Sequence, residues 1–147
     1  MSTGYCAELP LIRTTEDGHY KLIKTVASEI KQNFKILLLT MPGERVMDSN
    51  FGIGIQRYLF EQNAQPTWAD IDTRIRSQTK TYIPAIRINN IKFITTENTR
   101  GVNENYLGLR IDFTIVPLKI RSTFEIPRSD GGISVIENPD WGSVTSA

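Results

Sequence analysis

Apolar residues along this chain follow a helical period first and an alternating one later. Ile23, Val26, Ile30, Phe34, Leu37 and Leu38 recur at three- and four-residue steps, with Lys24, Ser28, Glu29, Lys31 and Lys35 between them. That spacing predicts an amphipathic helix over about residues 21–40, stopped by Pro42 and Gly43. A short helix is expected over Ile53–Phe60, and a loop over "EQNAQPT". A third helix is expected from Thr67, where Thr67-Trp68-Ala69-Asp70 has the form of a capping box with Asp in place of Glu. Trp68, Ile71, Ile75 and Tyr82 share one face of it, and the pattern ends near Pro84.

After Pro84 the period becomes two. Ile86 and Ile88 point one way and Ile91 and Phe93 carry the opposite parity, which predicts a bulge or a break at Asn89-Asn90. Past the loop "TTENTRGVNEN", Leu107, Leu109, Ile111, Phe113 and Ile115 alternate with Tyr106, Gly108, Arg110, Asp112 and Thr114, a strand with one buried face. Pro117 resets the parity, and Leu118, Ile120, Phe124 and Ile126 predict a last strand closed by Pro127. Helices first and antiparallel strands afterwards argue an α+β fold, with the helices packed on one face of a small sheet. Residues 1–18 read as an arm, 19–127 as the core of a single domain and 128–147, turn-rich, as a flexible tail.

Composition narrows the possibilities. The chain has 147 residues, 39% of them hydrophobic, and a net charge of +1. One domain fits that length, and the charge gives no footprint for nucleic acid. No apolar run is long enough to span a membrane, and "MSTGYCAELP" lacks the regions of a signal peptide. Cys6 is the single cysteine, which excludes an internal disulfide and cysteine-based zinc sites. It reads as a free thiol of a protein made in a reducing cytoplasm.

The candidate chemistry gathers around one stretch, "LLLTMPGERVMDSNFGIGIQRYLFE". Gly52-Ile53-Gly54 has the start of a dinucleotide fingerprint, but Arg57 stands where the third glycine belongs and no strand precedes it. "DSNFG" begins like a calcium loop, yet Gly52 offers no ligand where one is needed. His19, the only histidine, has no nucleophile beside it in sequence and reads as a surface residue. Glu44, Asp48 and Glu61 could supply a carboxylate pair of glycosidase type. Glu44 adjoins Arg45, however, and an ion pair or cap explains it equally. The alternative is a structural corner of Pro42, Gly43, Glu44, Arg45, Phe51, Gly52, Gly54, Leu59 and Phe60. There the glycines permit a close approach or a positive φ, and the aromatic residues fold back onto Leu37 and Leu38. No cofactor or metal is expected.

Those residues carry a resemblance. The stretch from Ile36 to Glu61, with the helix before it, resembles the baseplate-wedge, sheath-initiator family of contractile phage tails, which has relatives in type VI secretion baseplates and other contractile injection systems. The match is close over Thr40–Glu61, in the Thr-x-Pro-Gly-Glu-Arg-Val turn, the Phe-Gly-x-Gly corner and the Leu-Phe-Glu ending. It runs more loosely from about Pro10 to Ile126. The resemblance implies a fold like the inner part of a tail-sheath subunit and a non-catalytic role in the virion tail baseplate, assembled in the host cytoplasm. The implied partners are other wedge proteins and the tail sheath protein, with tube or hub proteins in reach and neither nucleic acid nor membrane. The sheath would be nucleated by strand addition to an open edge, expected at 107–116 and 118–126. Partner-binding candidates are Ile83, Pro84, Arg87, Leu118, Ile120, Phe124 and Ile126. Many members carry Glu-Pro-Arg between the last helix and the first strand. Here Ile83-Pro84-Ala85 keeps the proline and loses both charges, so the contact through Ile83 is expected to be apolar, with Arg87 a partial substitute. Some members are labelled lysozyme-like and one relative is a regulatory adaptor, so a muramidase using Glu44, or an adaptor, stands as the alternative.

Overall fold

The computed structural model describes residues 4–15, 17–61, 64–94, 108–126, 128, 129, 132, 133 and 136–138, without the side chains of Leu59, Phe60 and the positions beyond Ile126. The chain begins with a small antiparallel pair, β1 (Cys6–Ala7) with β2 (Leu22–Ile23), and enters helix α1 (Val26–Leu39). A 3-10 helix (Ile55–Phe60) and helix α2 (Gln65–Tyr82) follow, then strands β3 (Ile86–Ile94), β4 (Gly108–Ile115) and β5 (Ile120–Ile126). Three short strands, β6 (Arg128–Ser129), β7 (Gly132–Ile133) and β8 (Ile136–Asn138), complete the described elements. The main sheet is antiparallel in the order β3-β4-β5-β8. The fold is α+β, with α1 and α2 on one face of this sheet.

α1 starts later than its apolar period suggests. Ile23 is buried as a strand residue paired with Cys6, and Thr25 takes the N-cap, its Oγ1 accepting from the Ser28 amide at 3.4 Å. Val26, the first apolar residue inside the helix, is 41% exposed. α2 starts earlier than expected, at Gln65 after the cap residue Ala64, with Pro66 in its first turn. Proline is pre-organised for that turn and needs no donor there, so Thr67 lies inside the helix and caps nothing.

Phe34 on α1 meets Phe113 on β4 edge-on at 5.0 Å and stacks on Phe124 of β5 at 5.6 Å, and Trp68 of α2 stacks on Phe93 of β3 at 5.8 Å. Each such aromatic pair adds about 0.5–1.5 kcal/mol to the burial itself. β4 has the predicted alternation, with Leu109, Ile111, Phe113 and Ile115 buried. In β3 the register shifts between Ile88 and Asn90, leaving Asn89 without a strand partner. This bulge brings the second parity back to the first side, so Ile88, Ile91 and Phe93 all pack on one core.

Two expectations are corrected. β4 is an interior strand and β5 is paired on both sides, by β4 and, over Thr123–Glu125, by β8. The open edges of the main sheet among the described residues therefore belong to β3, β8 and the parts of β5 on either side of Thr123–Glu125. Phe124 and Ile126, expected at a partner surface, are 2% and 3% exposed and belong to the core, because their parity on β5 faces α1. Within the segment expected to be a flexible tail, β6, β7 and β8 are described, while 139–147 lie outside the described residues, as do the 95–105 loop, Tyr106, Leu107 and Pro127.

Candidate functional site

The stretch after α1 is a closed loop built on backbone bonds. Its base is Ile53, whose amide donates to the Leu37 carbonyl at 3.0 Å, and Gly43, whose amide donates to the Ser49 carbonyl at 2.9 Å. Between them Glu44 Oε2 accepts from the Met41 amide at 3.0 Å, and Asp48 Oδ1 accepts from the Asn50 amide at 3.2 Å. Gly52 has φ +110°, and a Cβ built on it would stand 2.3 Å from the Thr40 carbonyl oxygen. Gly54 has φ +67°, and its Cβ would lie 2.8 Å from Pro42 Cδ. Both glycines thus serve conformation and close approach together.

α2 holds this loop from outside. Gln78 accepts from the Gly52 amide through Oε1 and donates to the Asn50 carbonyl through Nε2, both at 3.1 Å. Arg74, one turn earlier, donates from its guanidinium to the Gly52 carbonyl at 3.1 Å. Gly52, buried, therefore has both backbone groups satisfied by α2 side chains. This clasp was not among the candidate residues. Its only trace in the sequence is a pair of long polar residues four apart beside the apolar stripe of Ile71 and Ile75, and that spacing equally describes a solvated helix face.

Further along, Tyr58 is 2% exposed, and its hydroxyl donates to Asp70 Oδ2 at 2.5 Å and accepts from Arg57 at 3.1 Å. Burial, and next the Asp70 bond, push its phenol above the ordinary value, against the charge of Arg57. Tyr58 is the aromatic residue that folds back into the core, with Ile53 and Ile55. Leu59 and Phe60 lie in the 3-10 helix, their side chains outside the described part.

The outer side of the corner is a groove of about 620 Å³ between the C-terminal ends of α1 and α2. Arg45 lies over the Phe51 ring at 4.7 Å, and Phe51 meets Tyr82 edge-on at 5.0 Å. Ile36, Thr40, Glu44 and Ile83 complete the wall. Thus Glu44 and Arg45 of the turn and Ile83 of the helix–strand junction, far apart in sequence, share one surface. Val46 and Met47 at the loop tip are 93% and 94% exposed. Pro84 and Arg87 are exposed beyond the groove, while Leu118, 43% exposed, and Ile120, half-buried, lie at the far turn of the sheet.

Glu44 is exposed and bound to a backbone amide, Asp48 binds the backbone of its own turn, and Glu61 is exposed. A glycosidase acid sits instead in an apolar pocket. His19 is exposed, and Cys6 accepts from Gln32 Nε2 at 3.7 Å. Among the described residues no group of three or more His, Cys, Asp or Glu could hold a metal ion, and no helix is long and apolar enough to cross a membrane.

Comparison with known proteins agrees with this geometry. A family model described as baseplate wedge protein gp25 matches residues 24–117. Comparison with curated proteins gives no match. Among solved structures, a chain of the anti-feeding prophage (AFP) baseplate, seen by 6-fold symmetrised cryo-EM, is similar with a TM-score of 0.60 and 22% identity, covering 76% of this chain and 84% of that one. A crystal structure of a Geobacter sulfurreducens protein named "putative tail lysozyme" is similar with a TM-score of 0.58 and 22% identity, covering 74% of this chain and 94% of that one. At such identity the likeness is one of fold, and a fold alone does not carry an activity. The family match spans α1, the corner, α2, β3 and β4, and so contains the whole clasp. The chain belongs to the baseplate wedge protein gp25 family.

Proposed function

We propose that this chain is a structural subunit of the baseplate wedge of a contractile tail, working by binding neighbouring wedge proteins and the first ring of sheath, without catalysis. The observation that carries the reading is where the family motif spends its polar atoms. Glu44, Asp48, Gly52 and Asn50 are all engaged in holding the corner's own backbone. A motif used in this way builds a rigid shape, and that shape presents Arg45, Phe51, Tyr82 and Ile83 on one groove beside an exposed apolar tip. Interfaces draw their affinity from such aromatic, arginine and apolar anchors.

Sheath nucleation by strand addition belongs to the same reading, with its position revised. β3 carries Arg87, Lys92 and the Asn89 bulge, the devices that keep an edge from accepting another strand. The opposite side, at Ile120–Ser122 of β5 and along β8, is the edge suited to receive the sheath strand. The subunit would join the baseplate around the tube during assembly in the host cytoplasm.

Electron microscopy of tails from producing cells tests this. Removing the chain should leave tubes without ordered sheath, wild-type chain should restore them, and Ile83→Glu, shown to be folded by circular dichroism, should restore few or none. Full restoration by Ile83→Glu would remove the groove from the interface. A peptidoglycan turbidity assay tests catalysis: clearing by the wild-type chain that is lost in Glu44→Gln would overturn the structural reading.

A further inference from the structure

A second groove, of about 760 Å³, runs along α1 between that helix and the N-terminal arm, and Ile36 lines both grooves. Its wall on α1 is the stripe Ser28, Lys31, Gln32, Lys35, Ile36 and Leu39, at three- and four-residue steps beside the core stripe of Phe34, Leu37 and Leu38. The arm is held against this stripe by Gln32, which accepts from the Leu9 amide at 2.9 Å and donates to the Ala7 carbonyl at 3.0 Å. Leu9 and Ile36 are exposed apolar residues of the wall, and Leu39 and Phe124 extend it. Positive charge gathers in the same place. Four lysines, Lys21, Lys24, Lys31 and Lys35, line the groove against two carboxylates, Glu8 and Asp17, a surplus of two in a chain whose net charge is +1. Glu8 is engaged by Lys21 at 2.8 Å and Asp17 by Lys24 at 3.0 Å. Lys35, half-buried, has no ion pair among the described residues.

We propose that this groove docks an acidic segment of a partner protein, with an apolar side chain of that segment against Leu9, Ile36 and Leu39 and a carboxylate on Lys35. Both halves of that chemistry lie on one helix face. Lys35 adjoins Ile36 and stands one turn before Leu39, so a single short segment meets the cation and the apolar wall together. The stripe from Ser28 to Leu39 is roughly 16 Å long, a length that about five extended residues span. Lys35 is already partly withdrawn from water, which makes an incoming carboxylate count for more than it would on an open surface. The groove's own carboxylates are neutralised by Lys21 and Lys24, so the surplus charge favours an anionic occupant and disfavours a basic one. A nucleic-acid phosphate backbone suits the wall less, because Leu9, Ile36 and Leu39 would stay uncovered beneath it. Because Gln32 fixes the arm beforehand, less ordering is left to the moment of binding. The groove differs in chemistry from that of Arg45, Phe51 and Ile83, and the inference does not rest on the baseplate reading.

Site-specific photocrosslinking of the full chain in producing cells tests it. The crosslinker p-benzoylphenylalanine replaces Leu9 or, in a second variant, Ser28, both exposed and both lining this groove alone. Irradiation should join each to a segment of another protein in which Asp and Glu outnumber Lys and Arg and an apolar residue is present, identified by mass spectrometry. Adding Lys35→Glu should lower the yield at least about tenfold, since it sets like charges against each other, whereas Lys35→Arg should keep it, both variants being shown to be folded by circular dichroism. Absence of an adduct from both positions overturns the proposal. So does an adduct with a second copy of this chain, with a remote segment of the same chain, with nucleic acid or lipid, or with a neutral or basic segment. So does a yield that Lys35→Glu leaves unchanged.

Discussion

Gly52 is the most constrained residue of the molecule, and its constraint is twofold. Its positive φ strains any L side chain, and its Cβ would displace the Thr40 carbonyl. Gly52→Val should therefore destabilise by at least ~2 kcal/mol, read as a large fall in the thermal midpoint or as loss of soluble protein. Gln78→Ala leaves the Gly52 amide buried without a partner, at a cost of about 1–3 kcal/mol. Arg74→Met removes the bond to the Gly52 carbonyl and should cost less, since Arg74 Nε is already buried without a partner. Urea titrations of the two variants give the order. Tyr58 adds a pH dependence. Its phenol ionises above the ordinary value of 10 in the folded chain, so folding favours the neutral form. That contribution is complete below about pH 10 and is lost as pH rises through the higher folded value. Stability of the wild-type chain should fall above pH 10 more steeply than that of Tyr58→Phe. Tyr82 is shifted the same way, by burial and then by Asp48, so some slope should remain in the variant.

At the scale of elements, each departure from the apolar pattern has a local cause. Thr25 ends the helical reading at its start because its side chain caps α1, and Ile23, though in phase with the helix, is a strand residue. Thr25→Ala should lower stability by about 1 kcal/mol, visible as a small shift of the urea midpoint. The bulge in β3 has a stronger consequence. Asn89, whose Nδ2 donates to Thr114 Oγ1 at 2.7 Å, restores the inward direction of the apolar parity. Deleting Asn89 would remove only the extra residue, so Ile86, Ile88, Ile91 and Phe93 would alternate regularly and keep one side in the register with β4. The deleted chain should therefore keep its cooperative melt, as should Asn89→Ala, and loss of the melt in the deletion would show that the bulge does more than set the parity.

At the scale of the whole molecule, the corner, α2 and the helix–strand junction converge on one groove. Glu44, Arg45, Phe51 and Ile83 were all legible as candidates from their own stretches, but only the packing of α1 against α2 makes them one surface. Val46 and Met47 are the most exposed large apolar residues described, on a loop braced at both ends. Val46→Ser with Met47→Ser should leave the stability within about 0.5 kcal/mol of wild type, since surface changes away from special features cost little. The same pair should impair attachment to the baseplate, scored by sedimentation of assembled tails. Reduced melting with normal attachment would make the tip part of the fold instead.

The sequence by itself determined the α+β order, the face of each helix, the alternation of β4, the change of parity at Asn89-Asn90 and the place of the glycine corner. These are local properties: side-chain period follows backbone geometry, and proline and glycine restrict the dihedral angles of their own residues. Tertiary structure alone decided which strands are edges, that Phe124 and Ile126 face the core, and that Arg74 and Gln78 clasp Gly52. Strand order depends on which distant segments pair, and β8 closes part of the β5 edge from beyond two further strands. A long polar side chain on a helix looks the same in sequence whether it meets water or a buried backbone group, because only the packing of another element excludes the water.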